Sequence, residues 1–396
     1  MSATAPLAYL GGTAAFARDL HVGQLNTPDI DAARSVFSGI FDRQFYTNHG
    51  PLVRAFEERV ADYLGVSHAI CMTNGTIALM VAASALGLKG EVIVPAYTFP
   101  ATVQALSWAG LSPVFCDVDP DTHNLTPEAV APLVSEKTVA VVPVHLWGRA
   151  CDATGMARLA EEHGLRVLYD AAHAFGGTND GAKIGGFGDL EMFSFHATKI
   201  LSCAEGGCVT TNDDATARAI RTARNFHEQE TFADVPLRIN AKMSEAQAAM
   251  GLLGLDRIDE LVASNRHRYD RYRTLLTGVP GVHFVDHAAD GGSNFQYVVC
   301  EIEENEIGFG RDCILEVLRA ERVFGRRYFY PGMHEVHPYD ARAWHLPVTD
   351  RLCRRVLQLP SGEGIEAADI DVVVSVIARA HAQADAIRAK YLEDRA

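Results

Sequence analysis

The chain has 396 residues, which suits one large domain and a smaller one. Hydrophobic residues make up 48% and charged residues 21%, the proportions of a globular protein with a sizeable core. A formal net charge of −15 argues against nucleic acid and against an anionic membrane surface as partners, but not against an anionic substrate held in a local basic pocket.

Residues 1–26 carry Pro6 and the pair Gly11-Gly12 and read as an N-terminal arm, either a surface tail or a cover over a site. The stretch 28–42 has helical spacing, with Pro28 early and Asp29 in the first turn. After a turn at Tyr46-Thr47-Asn48-His49-Gly50-Pro51, the residues Leu52, Phe56, Val60, Tyr63 and Leu64 fall on one helical face. An apolar strand over 68–72 runs through Thr73-Asn74-Gly75-Thr76 into a helix over 77–86. Strand, glycine turn and helix together offer free N–H groups and a positive dipole end, which suit a phosphate at Gly75 and Thr76. A plain turn with an N-cap is the competing reading.

Strands over 91–94, 113–116, 139–144 and 165–169 then alternate with helices over 100–109, 126–133 and 152–163. Thr126 is placed to cap its helix, with Pro127 at the first helical position. Repeated βα units of this length imply an α/β fold, a mostly parallel sheet covered by helices on both faces. Ligands of such folds bind outside the carboxyl ends of the strands. Thr73 to Thr76, Tyr97 to Phe99, His145 and Asp170 all fall there. A helix over 214–225 follows, then a polar loop through Pro236, then a helix capped at or near Ser244. From about residue 255 the pattern widens: a helix over 257–276 rich in Arg and Tyr, strands over 282–285 and 296–301, a helix over 311–321 and a closing helical region over 367–392. The expected division is an arm over 1–26, a large domain over 27–255 and a small C-terminal α+β domain over 256–396.

The chemistry concentrates at Phe193-Ser194-Phe195-His196-Ala197-Thr198-Lys199, which lies between an apolar strand and the turn Glu205-Gly206-Gly207. A lysine at the mouth of a sheet can lose its proton and act as a nucleophile. Upstream, Val167-Leu168-Tyr169-Asp170 is a buried-strand pattern ending in a carboxylate. A strand-end Asp with a strand-end Ser and Lys is what pyridoxal 5′-phosphate (PLP) needs: the lysine forms the Schiff base and the Asp pairs with the pyridinium nitrogen.

The 8 cysteines include no Cys-x-x-Cys pair, and they read as reduced core thiols of a cytoplasmic protein. The N-terminus lacks a secretory pattern, and no apolar run approaches the roughly 20 residues needed to span a bilayer. The 16 histidines give no His-x-x-x-His on a clear helix with a nearby Glu, so no metal is expected.

From Asn48-His49-Gly50-Pro51 to Leu359-Pro360 the chain resembles the DegT/DnrJ/StrS sugar aminotransferases, a branch of the fold-type I PLP enzymes. The motifs are Thr73-Asn74-Gly75-Thr76, Val94-Pro95-Ala96-Tyr97-Thr98-Phe99, Pro143-Val144-His145-Leu146-Trp147-Gly148, Asp170-Ala171-Ala172-His173, Ser194 to Lys199 and Glu205-Gly206-Gly207. The resemblance implies a homodimer with active sites shared between subunits, an amino-acid donor, by analogy glutamate, and a nucleotide-linked keto sugar. Many members carry Gln where this chain has His173. Asp-Ala-Ala-His-Ala-Phe-Gly with Arg326-Arg327-Tyr328-Phe329-Tyr330-Pro331 looks like the subgroup that aminates C4 of dTDP-4-keto-6-deoxyglucose. Amination at C3 or of another nucleotide sugar is the alternative. A related sugar dehydratase would carry His at position 199, and a non-catalytic regulator would need a DNA-binding appendage or a degraded site.

The resemblance also assigns roles. Lys199 forms the Schiff base and shuttles the proton, and Asp170 keeps the pyridine nitrogen protonated. His173 bonds the ring hydroxyl or packs beneath the ring, though a satisfied core histidine is the plainer reading. Gly75, Thr76 and Ser194 hold the phosphate. Phe99 is a lid over the ring or a core residue. Lys242 reaches the phosphate from the other subunit or is a surface charge. His145, Tyr330 and His334 are expected at the sugar pocket, with a structural role as the alternative.

Overall fold

A computed structural model describes residues 5–23, 26, 28–226, 235, 238–288 and 292–395. The expected α/β architecture is present. Seven strands form the central sheet: β1 (His68–Met72), β2 (Glu91–Pro95), β3 (Ser112–Cys116), β4 (Thr138–Val141), β5 (Arg166–Asp170), β6 (Leu190–Ser194) and β7 (Gly207–Thr211). Their order is β1-β7-β6-β5-β4-β2-β3. The pairs β2–β3, β2–β4, β4–β5 and β5–β6 are parallel, and β7 runs antiparallel to both of its neighbours. Runs such as Val92-Ile93-Val94 and Val167-Leu168-Tyr169 are buried, as strands covered on both faces must be.

Four helices precede or flank the first strands: α1 (Ile30–Arg43), α2 (Pro51–Leu64), α3 (Gly75–Ala85) and α4 (Pro100–Trp108). The apolar residues of α3 ring the whole helix, and it is buried between the sheet and α4. Pro28 and Asp29 stand before α1 rather than in its first turn, and Asp29 caps it: its side chain accepts from the N–H groups of Asp31 and Ala32. Thr126 and Ser244 cap as expected, and Ser244 with Gln247 makes a full capping box.

A second sheet of three antiparallel strands follows: β8 (Val282–Phe284), β9 (Val298–Ile302) and β10 (Val356–Leu359). Two expectations shift here. The strand expected over 296–301 starts only at Val298, because Asn294 and Gln296 use their side chains on loops of the central sheet instead. The closing helical region is two helices, Ala367–Ala382 and Ala384–Glu393. Most of the polar loop expected through Pro236 lies outside the described residues, as do residues 1–4, 24 and 25 of the arm. The arm from Leu7 to Leu20 packs on the second sheet's core. Leu7 and Leu20 are fully buried there, Leu20 pairs with Val323, and the N–H groups of Ala8 and Ala15 bond the Glu321 carboxylate at 2.7 and 2.6 Å.

Candidate active site

The carboxyl ends of β1, β5 and β6 open onto a cavity of about 510 Å³. Seven of the residues singled out from the sequence line it: Gly75, Thr76, Phe99, Asp170, His173, Ser194 and Lys199.

Asp170 ends β5. Its Oδ2 accepts from Thr102 Oγ1 at 2.7 Å and its Oδ1 from Ala172 N at 3.0 Å, and Thr98 Oγ1 lies 2.9 Å from Thr102 Oγ1. Burial pushes the Asp170 carboxyl up, and the Ala172 N–H, the Thr102 hydroxyl and the Lys199 charge pull it back.

Lys199 sits in the connection between β6 and β7. That connection is pinned by Phe195 N to Gly206 O and Cys203 N to Phe195 O, both at 2.8 Å. Lys199 Nζ bonds the Tyr297 hydroxyl at 3.0 Å. Loss of water lowers the Lys199 pKa to about 8, opposed by Asp170 and reinforced by the Arg326 charge.

The opposite wall is the start of α3. The Asn74 side chain accepts from Ile77 N at 2.9 Å, which leaves Gly75 and Thr76 N–H as first-turn donors. Two glycines allow the close packing there. A Cβ on Gly75 would stand 3.0 Å from Ser194 Cβ, and one on Gly207 would stand 2.4 Å from the carbonyl carbon of Asn74.

His173 lies in an aromatic stack, its ring centroid 4.2 Å from Tyr297, 6.0 Å from Trp147 and 6.2 Å from Phe329. Burial holds its pKa well below the usual histidine value. Its Nδ1 is buried and has no hydrogen-bond partner among the described residues. Phe99 is half exposed at the rim, 6.4 Å from Phe329.

Four expected residues do not reach this cavity. His145 is wholly buried on the far face of the sheet. It stacks on Tyr169 at 4.6 Å, accepts from Cys151 N at 3.0 Å through Nδ1, and sets Nε2 3.4 Å from the Glu191 carboxylate. His334 is buried and bonds Asp350 at 2.9 Å, and Tyr330 is exposed beside Arg311 and Arg327. None of these three lines the cavity, and each has a partner elsewhere in the chain. Lys242 lines a separate small cleft with His49, Arg224 and Asn225, its Nζ 2.6 Å from Asn240 Oδ1.

Sequence reasoning assigned no role to Thr102, Tyr297, Arg326 or Tyr328. Thr102 could have been found, since it stands in the first turn of a helix that follows a strand end. Arg326 and Tyr328 stand in the sequence only as subgroup markers. Tyr297 carries no local signal. Arg326 and Tyr328 line the cavity, with Arg326 Nη1 bonding the Tyr328 hydroxyl at 3.0 Å.

Comparison with known proteins agrees with this geometry. The model of the DegT/DnrJ/EryC1/StrS aminotransferase family matches residues 30–378. The dTDP-4-amino-4,6-dideoxy-D-glucose transaminase of Shigella dysenteriae is 34% identical over 363 residues, spanning 91% of this chain and 98% of that one. GDP-perosamine synthase of Caulobacter vibrioides is 34% identical over 341 residues, spanning 85% and 92%. The crystal structure of DesI in the presence of its TDP-sugar product superposes with a TM-score of 0.93 at 47% identity, covering 98% of each chain. With a family model matched over most of its length and relatives of this identity and coverage, the chain belongs to the DegT/DnrJ/EryC1/StrS aminotransferase family.

Proposed function

We propose that this enzyme moves an amino group from an amino acid, L-glutamate, to C4 of dTDP-4-keto-6-deoxyglucose. The cofactor is pyridoxal 5′-phosphate. One observation carries the reading: Lys199, Asp170 and the start of α3 converge on one cavity of about 510 Å³. The similarity to the Shigella transaminase and to DesI supports the choice of sugar, nucleotide and carbon.

The cavity fits the cofactor. Gly75 and Thr76 N–H groups and the Ser194 hydroxyl would hold its phosphate, at a helix N-terminus that favours an anion. Asp170 would face its ring nitrogen, and the unpartnered His173 Nδ1 would take its ring hydroxyl. Phe99 would cover the ring from the rim. When bound, PLP supplies an electron sink for the pair left when the donor's α-proton departs.

The residues of the chain supply the rest. Lys199, with its pKa lowered to about 8, can take and return a proton at Nζ near neutral pH. Asp170, held by Thr102 and Ala172, presents a fixed negative charge to a protonated ring nitrogen. Arg326 at the cavity wall offers a guanidinium to an anionic group of either substrate. His173 and Phe329 give the cavity an aromatic wall, with Trp147 stacked behind them, that would limit water at the reacting atoms.

The chain further divides, in this reading, into an arm over 1–26, a large domain over 27–255 and a small domain over 256–396. It works as a homodimer in which Lys242 completes the partner's phosphate site. The exposed Phe41, Phe45 and Tyr46 adjoin the segment carrying Lys242, since Tyr46 O accepts from Glu245 N at 3.0 Å, and they supply apolar surface for that contact. Eight buried cysteines, none in a disulfide, support a reducing, cytoplasmic setting.

The test is a panel of nucleotide-linked 3-keto and 4-keto sugars, each offered with glutamate and PLP, with products read by mass and NMR. Amination of dTDP-4-keto-6-deoxyglucose at C4 is expected. Turnover only of a 3-keto sugar, or of two small acids without any sugar, would overturn the assignment.

A further inference from the structure

The segment 293–297 stands between the two sheets and spends its polar groups on the active-site loops. Gln296 is buried, and its carboxamide brackets Lys199 along the backbone. Its Oε1 accepts from Ile200 N at 3.0 Å and its Nε2 donates to Thr198 O at 3.1 Å. The next residue, Tyr297, bonds Lys199 Nζ itself at 3.0 Å. Asn294 does the same for the neighbouring loop, donating to the carbonyls of His173 and Phe175 at 2.8 and 3.0 Å. The segment is itself held: Phe295 takes a φ of 55°, Asn294 Oδ1 accepts from Gln296 N at 3.1 Å, and His287 Nε2 lies 2.8 Å from Tyr297 O. The arm adds one contact on the same loop, from Asn26 Nδ2 to Ile200 O at 2.6 Å.

We propose that Gln296 and Tyr297 are the positioning pair for Lys199: Gln296 fixes the peptide groups on either side of it, and Tyr297 aims its amine. The proposal deepens the aminotransferase reading and rests on it for the role of Lys199. The contact has a definite chemical consequence. A lysine that alternates between attachment and proton transfer needs a defined position for Nζ while it is free. A freely rotating four-carbon stem does not give one. The Tyr297 ring is pinned between His173, at 4.2 Å, and Trp147, at 5.6 Å, so its hydroxyl is a fixed point. Because Tyr297 stands just before β9, the lysine is also indexed to the second sheet rather than only to its own loop.

Tyr297→Phe keeps the ring and removes only the hydroxyl, so the stack survives. A hydrogen bond to the ammonium is stronger than one to the neutral amine, so losing it disfavours the charged form. The midpoint of Lys199 labelling by acetic anhydride, read by peptide mass spectrometry on cofactor-free protein across pH, should then fall by about half to one unit. On the holoenzyme, kcat for sugar amination should fall about 10- to 100-fold, with KM for the keto sugar changed less than threefold. Gln296→Leu should leave the labelling midpoint within a few tenths of a unit while hydrogen exchange at the Ile200 amide speeds about tenfold or more. An unmoved midpoint with unchanged kcat in Tyr297→Phe, or unchanged Ile200 exchange in Gln296→Leu, would overturn the pairing. Because labelling is read without cofactor or substrate, it decides the contact even where the wild-type enzyme fails to aminate a sugar. That failure would count against the aminotransferase reading alone.

Discussion

At the scale of single residues, the proposed site depends on two groups forced from their ordinary ionisation. Lys199 is lowered from the ordinary 10.5 to about 8 by loss of water. Its charged form is therefore less favoured in the folded chain than in the unfolded one. The resulting cost to stability is complete below pH 8, shrinks as pH rises from 8 to 10.5, and vanishes above. On cofactor-free protein, Lys199→Met should be more stable than wild type at pH 7 by about 1–3 kcal/mol, with the gap closing through that window in urea titrations. A gap that widens with rising pH would contradict the assignment. Thr102 acts on the other group. Thr102→Val deletes a 2.7 Å hydrogen bond to a buried carboxylate. Stability at pH 7 should drop by about 1.5–3 kcal/mol, and PLP affinity should weaken with it. An unchanged spectrum, affinity and melting temperature would remove Thr102 from the site.

At the scale of elements, the wall proposed to hold the phosphate depends on backbone closeness more than on side chains. Strand β7 begins at Gly207 directly against Asn74 and Gly75, where an added Cβ would lie 2.4–2.6 Å from backbone atoms. Gly207→Ala must therefore shift either β7 or the start of α3. It should cost about 1–3 kcal/mol and weaken inorganic phosphate and PLP binding together. Wild-type affinity and stability in that variant would show that the turn tolerates more than its packing implies. This wall was legible in the sequence, because a strand, an Asn-Gly-Thr turn and an apolar helix follow one another within a few residues. Lys199 and Asp170 were legible for the same reason, each ending an apolar strand or standing just beyond one. Tyr297 and Gln296 were not. They act across about a hundred residues of chain, and a short apolar run such as 296–301 reads as a plain strand. His145 shows the converse. It ends its strand pattern at the carboxyl edge, but the Tyr169 ring and the Glu191 carboxylate draw it to the far face.

At the scale of the whole molecule, the order of βα units gave the parallel sheet and the side on which the cavity opens. The antiparallel β7 and the docking of the arm on the second sheet depend on long-range pairing that no local pattern encodes. The exposed Phe41, Phe45 and Tyr46, beside the segment of Lys242, call for cover. Light scattering should give twice the 43.0 kDa chain mass, and Phe41→Glu with Tyr46→Glu should return it to one chain and weaken PLP retention. A wild-type monomer with full cofactor affinity would rule out the shared site.

The most direct measurement is borohydride reduction of the protein after incubation with PLP, followed by peptide mass spectrometry. One pyridoxyl group per chain, on Lys199, is predicted, with none on a Lys199→Ala variant that retains its fold by circular dichroism. A label on another lysine, or no label at all, would contradict the assignment of this cavity.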